Sequence, residues 1–187
     1  VVLHALAHWG TDALLKFNGM FALAMWDRKE KKLLLARDRY GIKPLYYARQ
    51  GNTFAFGSEQ KAITAQPNFN RKLNKPALLE YFTFQNILTS QTLLEDVQLL
   101  PAGCYLQISS VSSSLNITQY WDYHFSEPKQ RASKQEYVEE LDRLFRQAVD
   151  RQLVGDVELG CYLSGGMDSG SIAAIAAKSF PNLKSFT

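Results

Sequence analysis

The sequence predicts two folds in one chain: an α+β unit of antiparallel sheets with helices over residues 1–125, then the start of an α/β doubly wound parallel sheet over residues 126–187. Four strand-like runs between Met20 and Gly57 follow one another across short turns, the pattern of an antiparallel meander. From Ser133 onward, helix, strand, glycine turn, helix and strand alternate instead. Between the two patterns, Trp121–Arg131 has few periodic apolar residues and includes Pro128, as a linker does.

Taken in order, Val1–Leu6 is amphipathic and reads as the middle of a helix. With no initiator Met before it, a cut inside a domain is the expectation. A short helix over Asp12–Phe17 ends at the turn signal Asn18-Gly19. The four strands are expected at Met20–Asp27, Leu33–Asp38, Leu45–Arg49 and Thr53–Gly57. In the first, Phe21, Leu23 and Met25 alternate with Ala22, Ala24 and Trp26, so both faces are apolar and burial on both sides is expected. Turn residues fill the breaks at Arg28–Lys32, Tyr40–Pro44 and Gln50–Asn52.

Ser58–Ala65 predicts a short helix, and Asn74 is an N-cap with Pro76 in the first turn of a helix reaching Phe84. Leu99–Gly103 turns into a strand at Cys104–Ile108, followed by a polar tip at Ser109–Ser114 and a pairing strand at Leu115–Tyr120. Ser133 and Glu136 have the spacing of a capping box. Tyr137, Leu141, Leu144, Phe145, Ala148 and Val149 then form an apolar stripe at helical period. A buried strand at Val157–Leu163, a helix from about Ser169 and a last strand-like run, Leu183–Thr187, complete one strand–helix–strand unit. One such unit cannot cover a sheet, so truncation is expected at this end too.

The chemistry concentrates at Leu163-Ser164-Gly165-Gly166-Met167-Asp168-Ser169, between that strand and that helix. A helix N-terminus offers unpaired N–H groups and a positive dipole end, and glycines let an anion approach the backbone. Ser164 and Ser169 add hydroxyls, and Asp168 adds a carboxylate able to hold a cation against phosphates. No lysine follows the glycines, so this is not a kinase-type phosphate loop. The pattern S-G-G-x-D-S looks like the pyrophosphate-binding loop of ATP pyrophosphatases. A turn that binds nothing is the competing reading, and five specified residues within six positions, in strand–turn–helix context, argue against it.

Composition narrows the rest. The net charge of +3 is small and mixed in sign, and the basic cluster Arg28–Lys32 contains an acid, so it reads as a solvated hairpin turn rather than a nucleic-acid surface. No apolar run approaches a membrane span and no signal pattern opens the chain. Cys104 and Cys161 are too few for a disulfide framework, sit in apolar runs and read as small buried hydrophobes, and a cytoplasmic protein fits best.

Several runs together resemble the glutamine-hydrolysing asparagine synthetases, over essentially the whole chain. They are Phe17–Ala22, Ala36–Tyr47, Phe56–Glu59, Leu100–Gly103, Tyr120-Trp121 and the Ser164–Ser169 loop. The resemblance implies an N-terminal-nucleophile-type sandwich that releases ammonia from glutamine, over residues 1–125. It implies an ATP-pyrophosphatase-type synthetase domain beginning at 126, where ATP and Mg²⁺ activate the aspartate side chain as an adenylate for ammonia to attack. Leu163, Ser164, Gly165, Gly166, Asp168 and Ser169 would then bind ATP, with Asp168 near Mg²⁺. The implied partners are glutamine, aspartate and ATP, with no nucleic acid and no membrane, and a homodimer is the assembly left open. No catalytic residue is assigned, because the family's N-terminal cysteine nucleophile would precede Val1 and neither Cys104 nor Cys161 matches it. Gly170 stands where many relatives have a third serine. The chain is therefore expected to be an interior fragment, inactive alone. Two alternatives stay open: a relative that amidates another carboxylate or closes a β-lactam, and a catalytically dead nucleotide-binding homologue.

Outside the loop, Arg37 and Asp38 read chiefly as a pair that pins the Gly-Pro turn, and secondarily as neighbours of an interdomain channel. Ser58-Glu59 could cap the following helix or orient that channel. His4, His8 and His124 are expected to be structural or exposed. The runs Tyr46-Tyr47, Phe54–Phe56 and Tyr81–Phe84 are expected in the core.

Overall fold

The structure is a computed structural model that describes residues 1–109, 114–128 and 132–187. It divides into two units, Val1–His124 and Phe125–Thr187. Part of the expected tip at Ser109–Ser114 and the end of the expected linker lie outside the described residues.

The first unit starts with helix α1 (Val2–Trp9) and a 3₁₀ helix (Gly10–Lys16). Two sheets follow. One has the order β1 (Ala22–Asp27), β2 (Lys32–Arg37), β6 (Cys104–Ser109), β7 (Leu115–Gln119), and all its pairs are antiparallel. The other has the order β4 (Thr53–Gly57), β3 (Tyr46–Gln50), β5 (Val97–Leu99), again antiparallel. The four early strands therefore form two hairpins in different sheets, not one meander. The cause is the turn after β2, which redirects the chain so that Leu35 pairs across to Leu106 of β6. Strand β5 is three residues long, too short to leave a period-2 signature in the sequence.

Alternation in β2 and β3 builds the layers. Leu34 and Ala36 face Ala5, Leu6, Ala13 and Leu14 of the helical layer. Leu35, from the opposite face of β2, packs with Leu45, Tyr47, Leu100, Cys104 and Leu106 between the sheets. Ala48 and Ala55 of the second sheet turn outward onto Ile63 of α2 (Gln60–Thr64) and Val97. The result is helix, sheet, sheet, helix. Burial on both faces belongs to β2, where Leu34, Leu35, Ala36 and Arg37 are all buried. Strand β1, expected to be the doubly buried one, lies at the sheet edge and leaves Ala24 and Trp26 exposed. An edge strand has one fewer neighbour to cover its outer face.

The turn between the sheets is held by two buried charged residues. Asp38 is 1% exposed, and its carboxylate accepts hydrogen bonds from the backbone N–H groups of Phe21 (3.2 Å), Tyr40 (3.2 Å), Ile42 (3.0 Å) and Lys43 (3.0 Å). Burial pushes this carboxyl up, but the backbone donors together outweigh it and hold the group below its ordinary value. Arg37 donates to the carbonyls of Lys43 (2.8 Å), Leu100 (2.7 Å) and Gly41. Burial lowers its guanidinium, and adjacent Asp38 opposes that. The Tyr120 hydroxyl donates to Arg37 O at 2.8 Å, and burial, with Asp38 behind it, pushes its phenol up to about 12. The pair pins the turn, as its position suggested.

Other expected details fall on both sides. Asp27 closes the basic hairpin by accepting from Lys29 N (2.8 Å) and Glu30 N (2.9 Å), so the Arg28–Lys32 cluster is a solvated turn. Asn74 caps α3 (Lys75–Phe84) by accepting from Ala77 N. Glu59 occupies the N-cap of α2 without a side-chain cap bond and pairs with Lys61 instead, so the capping reading of that residue is corrected. Tyr47 is buried, but Tyr81, Phe82 and Phe84 are exposed, against the expectation of core. Of α3, only Ala77 is fully buried, and among the described residues none covers the aromatic side chains of its second half.

The second unit opens with α4 (Lys134–Gln152), whose start is the expected capping box: Ser133 Oγ accepts from Glu136 N and Glu136 accepts from Ser133 N. Replacing Ser133 by Ala is expected to cost about 1 kcal/mol of helix stability, read as a fall in the urea midpoint of the second unit. The apolar stripe is covered only toward its C-terminal end, where Val149 is buried; Tyr137, Leu141 and Leu144 are exposed. Strand β8 (Gly160–Tyr162) pairs in parallel with β9 (Lys184–Phe186), joined by α5 (Met167–Ser179). The strand expected at Val157–Leu163 is thus short and open: Val157 and Tyr162 are exposed. A two-stranded sheet with helices packed on it leaves such residues uncovered.

Candidate functional site

The loop between β8 and α5 brings the six candidate residues together at the C-terminal end of a parallel strand. Leu163 continues the sheet, its N–H donating to Phe186 O at 2.7 Å. Gly165 then takes a left-handed conformation, φ +77°, and a side chain there would point into open space. Glycine meets the backbone requirement, and the space it leaves is free for a ligand.

Helix α5 begins at Met167, two positions before the expected Ser169, with Gly166 as N-cap. Gly166 has no side chain to cap the helix, so no side-chain acceptor meets the first-turn N–H groups. Asp168 falls inside the first turn, is exposed, and has no hydrogen-bond partner among the described residues. It is therefore not the helix cap; its carboxylate is free, beside the positive end of the helix. A run of Met-Asp-Ser after Gly-Gly could have signalled this start, since acidic residues favour the first turn.

The two serines meet. Ser164 N donates to Ser169 Oγ at 3.2 Å, the two hydroxyl oxygens are 3.0 Å apart, and Ser169 Oγ donates to Gly166 O at 3.2 Å. Gly166 N approaches Ser164 Oγ at 3.4 Å. The arrangement can bind an anion through backbone N–H groups, with a free carboxylate beside it for a cation. Among the described residues no cluster of three or more His, Cys, Asp or Glu side chains forms a protein-only metal site. A single carboxylate fits Mg²⁺ only when phosphate oxygens supply further ligands.

Cys104 is buried, and burial, with Asp122 nearby, pushes its thiol up, the opposite of what a reactive cysteine needs. His8 stacks edge-on against Trp9. No described helix is long and apolar enough to cross a membrane.

Comparison with known proteins follows the same division. Residues 1–121 match the glutamine amidotransferase domain family, and residues 140–187 match the asparagine synthase family. The chain is 39% identical over 96% of its length to a glutamine-hydrolyzing asparagine synthetase of Bacillus subtilis, covering 29% of that protein. It is 34% identical over 96% of its length to a putative glutamine-hydrolyzing asparagine synthetase of Mycobacterium bovis, covering 28% of it. A third relative, the amidase chry2 of Gibberella zeae, is 31% identical over 95% of the chain and 26% of its own length. The chain thus spans less than a third of the length of these curated relatives. It belongs to the glutamine amidotransferase family through residues 1–121 and continues into a segment matching the asparagine synthase family, the combination that the resemblance to glutamine-hydrolysing asparagine synthetases anticipates.

Proposed function

We propose that this chain serves an ATP-dependent carbon–nitrogen ligase that converts aspartate to asparagine with ammonia released from glutamine. Residues 1–125 belong to its glutaminase half and residues 126–187 open its synthetase half, an ATP-pyrophosphatase-type sheet. The observation that carries the reading is the Ser164–Ser169 turn, an uncapped helix N-terminus behind a left-handed glycine inside the segment matching the asparagine synthase family. In this reading the aspartate carboxylate attacks the α-phosphorus of ATP and pyrophosphate leaves. Ammonia then attacks the resulting acyl carbon, and AMP leaves. The loop's part is to bind the departing pyrophosphate through first-turn N–H groups, while Gly165 and Gly166 keep the approach open. Mg²⁺ would offset the charge between Asp168 and the phosphates. Glutamine, aspartate and ATP are the small-molecule partners.

A second reading keeps the same chemistry on a different carboxylate, since a relative with another name, amidase chry2, shares these segments at 31% identity. Acceptor trials separate the two: aspartate-dependent pyrophosphate release supports the first, and release with another carboxylate alone supports the second.

The metal assignment is tested by Asp168→Asn in the protein at the length of its relatives. Loss of a charge contact made in the transition state is expected to lower ATP-dependent pyrophosphate release about a hundredfold. Glutamine hydrolysis should stay near normal, and Mg²⁺-free nucleotide affinity should be unchanged or higher because one negative charge is gone. Pyrophosphate release against Mg²⁺ concentration, matching for the two proteins, would remove Asp168 from the metal.

A further inference from the structure

We infer that helix α3 and the loop behind it, residues 75–89, form an apolar post that inserts into the polypeptide following Thr187 in a protein of its relatives' length. The inference rests on residues 126–187 being the opening of a longer synthetase half. Only Ala77, in the first turn of α3, is fully buried. Beyond it Leu79, Tyr81, Phe82 and Phe84 are exposed, as is Leu88 of the loop, and Phe82 reaches 73%. At about 100° per residue, positions 79, 81, 82 and 84 point to all sides of the helix instead of along one stripe. A helix that is apolar all round belongs inside protein, and a cluster this large on the surface marks an interaction site.

The post is built in advance. Gln85 ends the helix in a left-handed conformation, φ +53°. The Glu80 carboxylate accepts from Leu88 N at 2.7 Å and from Thr89 Oγ at 3.1 Å, which folds the loop back onto the helix. Glu80 is also the one charged residue between Pro76 and Leu94, so this surface suits an apolar partner and not a nucleic acid. Shape and length decide between apolar partners. Two such helices side by side, one from each of two copies, would cover one flank of each. Apolar side chains on every side call for a groove that closes round them. The chain spans 29% and 28% of two relatives, so in a protein of that length most of the polypeptide lies outside it. The first unit already has its layers of helix, sheet, sheet and helix, whereas the second has a two-stranded parallel sheet with Tyr162 exposed. A sheet that small needs further strands, so the missing bulk falls to the second half.

Covalent probes at position 82, in the protein at the length of its relatives, test this. Phe82→Cys is expected to react with a maleimide at least about tenfold more slowly than Arg28→Cys, which sits in the exposed hairpin turn, and to do so at every protein concentration. With Phe82 replaced by the photoreactive p-benzoylphenylalanine, irradiation and digestion should yield cross-links within one chain to residues beyond Thr187. Equal labelling rates would overturn the inference. So would cross-links found only to residues before Val1 or to a second copy, or protection that fades on dilution. ATP-dependent pyrophosphate release by the unsubstituted protein keeps this apart from the ligase reading. Cross-links as expected in a protein without that activity would support the post and overturn the ligase, and an active protein with position 82 freely labelled would do the reverse.

Discussion

Asp38→Ala is expected to destabilise the first unit by about 3–5 kcal/mol, the range for removing one partner from a buried charged network. The side chain is 1% exposed, so no water replaces it as acceptor for four backbone N–H groups. Arg37 would keep its three carbonyl acceptors but lose the adjacent negative charge that opposes its desolvation. Urea unfolding followed by tryptophan fluorescence reads the loss, and a change under 1 kcal/mol would mean that the turn is held without the carboxylate. The pH dependence has a definite sign. The folded carboxyl lies below its ordinary value, so its contribution is fully present above the unfolded value, about pH 4. It is lost as pH falls through the lower folded value. The stability gap between wild type and Asp38→Asn should therefore be flat from neutral pH to about pH 5 and narrow below it.

Gly103→Ala should cost about 3 kcal/mol or more, because two penalties coincide. The residue sits at φ +62°, and a Cβ there would lie 2.5 Å from the backbone oxygen of Trp121. That oxygen cannot swing aside as a side chain would. Gly103 also anchors the hub: its N–H donates to Asp38 O, and its carbonyl accepts from Tyr120 N and Trp121 N. Gly51→Ala is the matched control, with φ +58° and nothing within 4 Å of the added carbon. It should lose only the conformational part, about 1 kcal/mol. Equal losses for the two variants would show that the backbone at Trp121 moves away freely.

Much of this molecule was legible before any coordinates. Capping at Asn74 and Ser133 depends on residues three apart, and the hairpin turns at Asp27 and Gly51 depend on single side chains or a single φ. Interactions that short are written in order along the chain. The Ser164–Ser169 loop was legible for the same reason: strand, glycines and helix start are contiguous, so their sequence is also their geometry. The family resemblance likewise rests on contiguous runs.

What the chain's order could not express was which surface each element meets. Runs as apolar as β1 and β2 look alike in sequence, yet β2 is buried on both faces because it runs inside the sheet, beside β6, with the helical layer on one face and the second sheet on the other, while β1 is left at the edge. The aromatic residues of α3 looked like core but are exposed, since burial depends on a neighbour and not on hydrophobicity. Asp38 could be read as a turn residue, but its acceptance of the Phe21 N–H, across the sheet from seventeen residues back, required the folded chain. Ser169 is the same case at short range. Its residue type suggested a phosphate contact, and only the folded loop placed its hydroxyl 3.0 Å from that of Ser164 and 3.2 Å from Gly166 O.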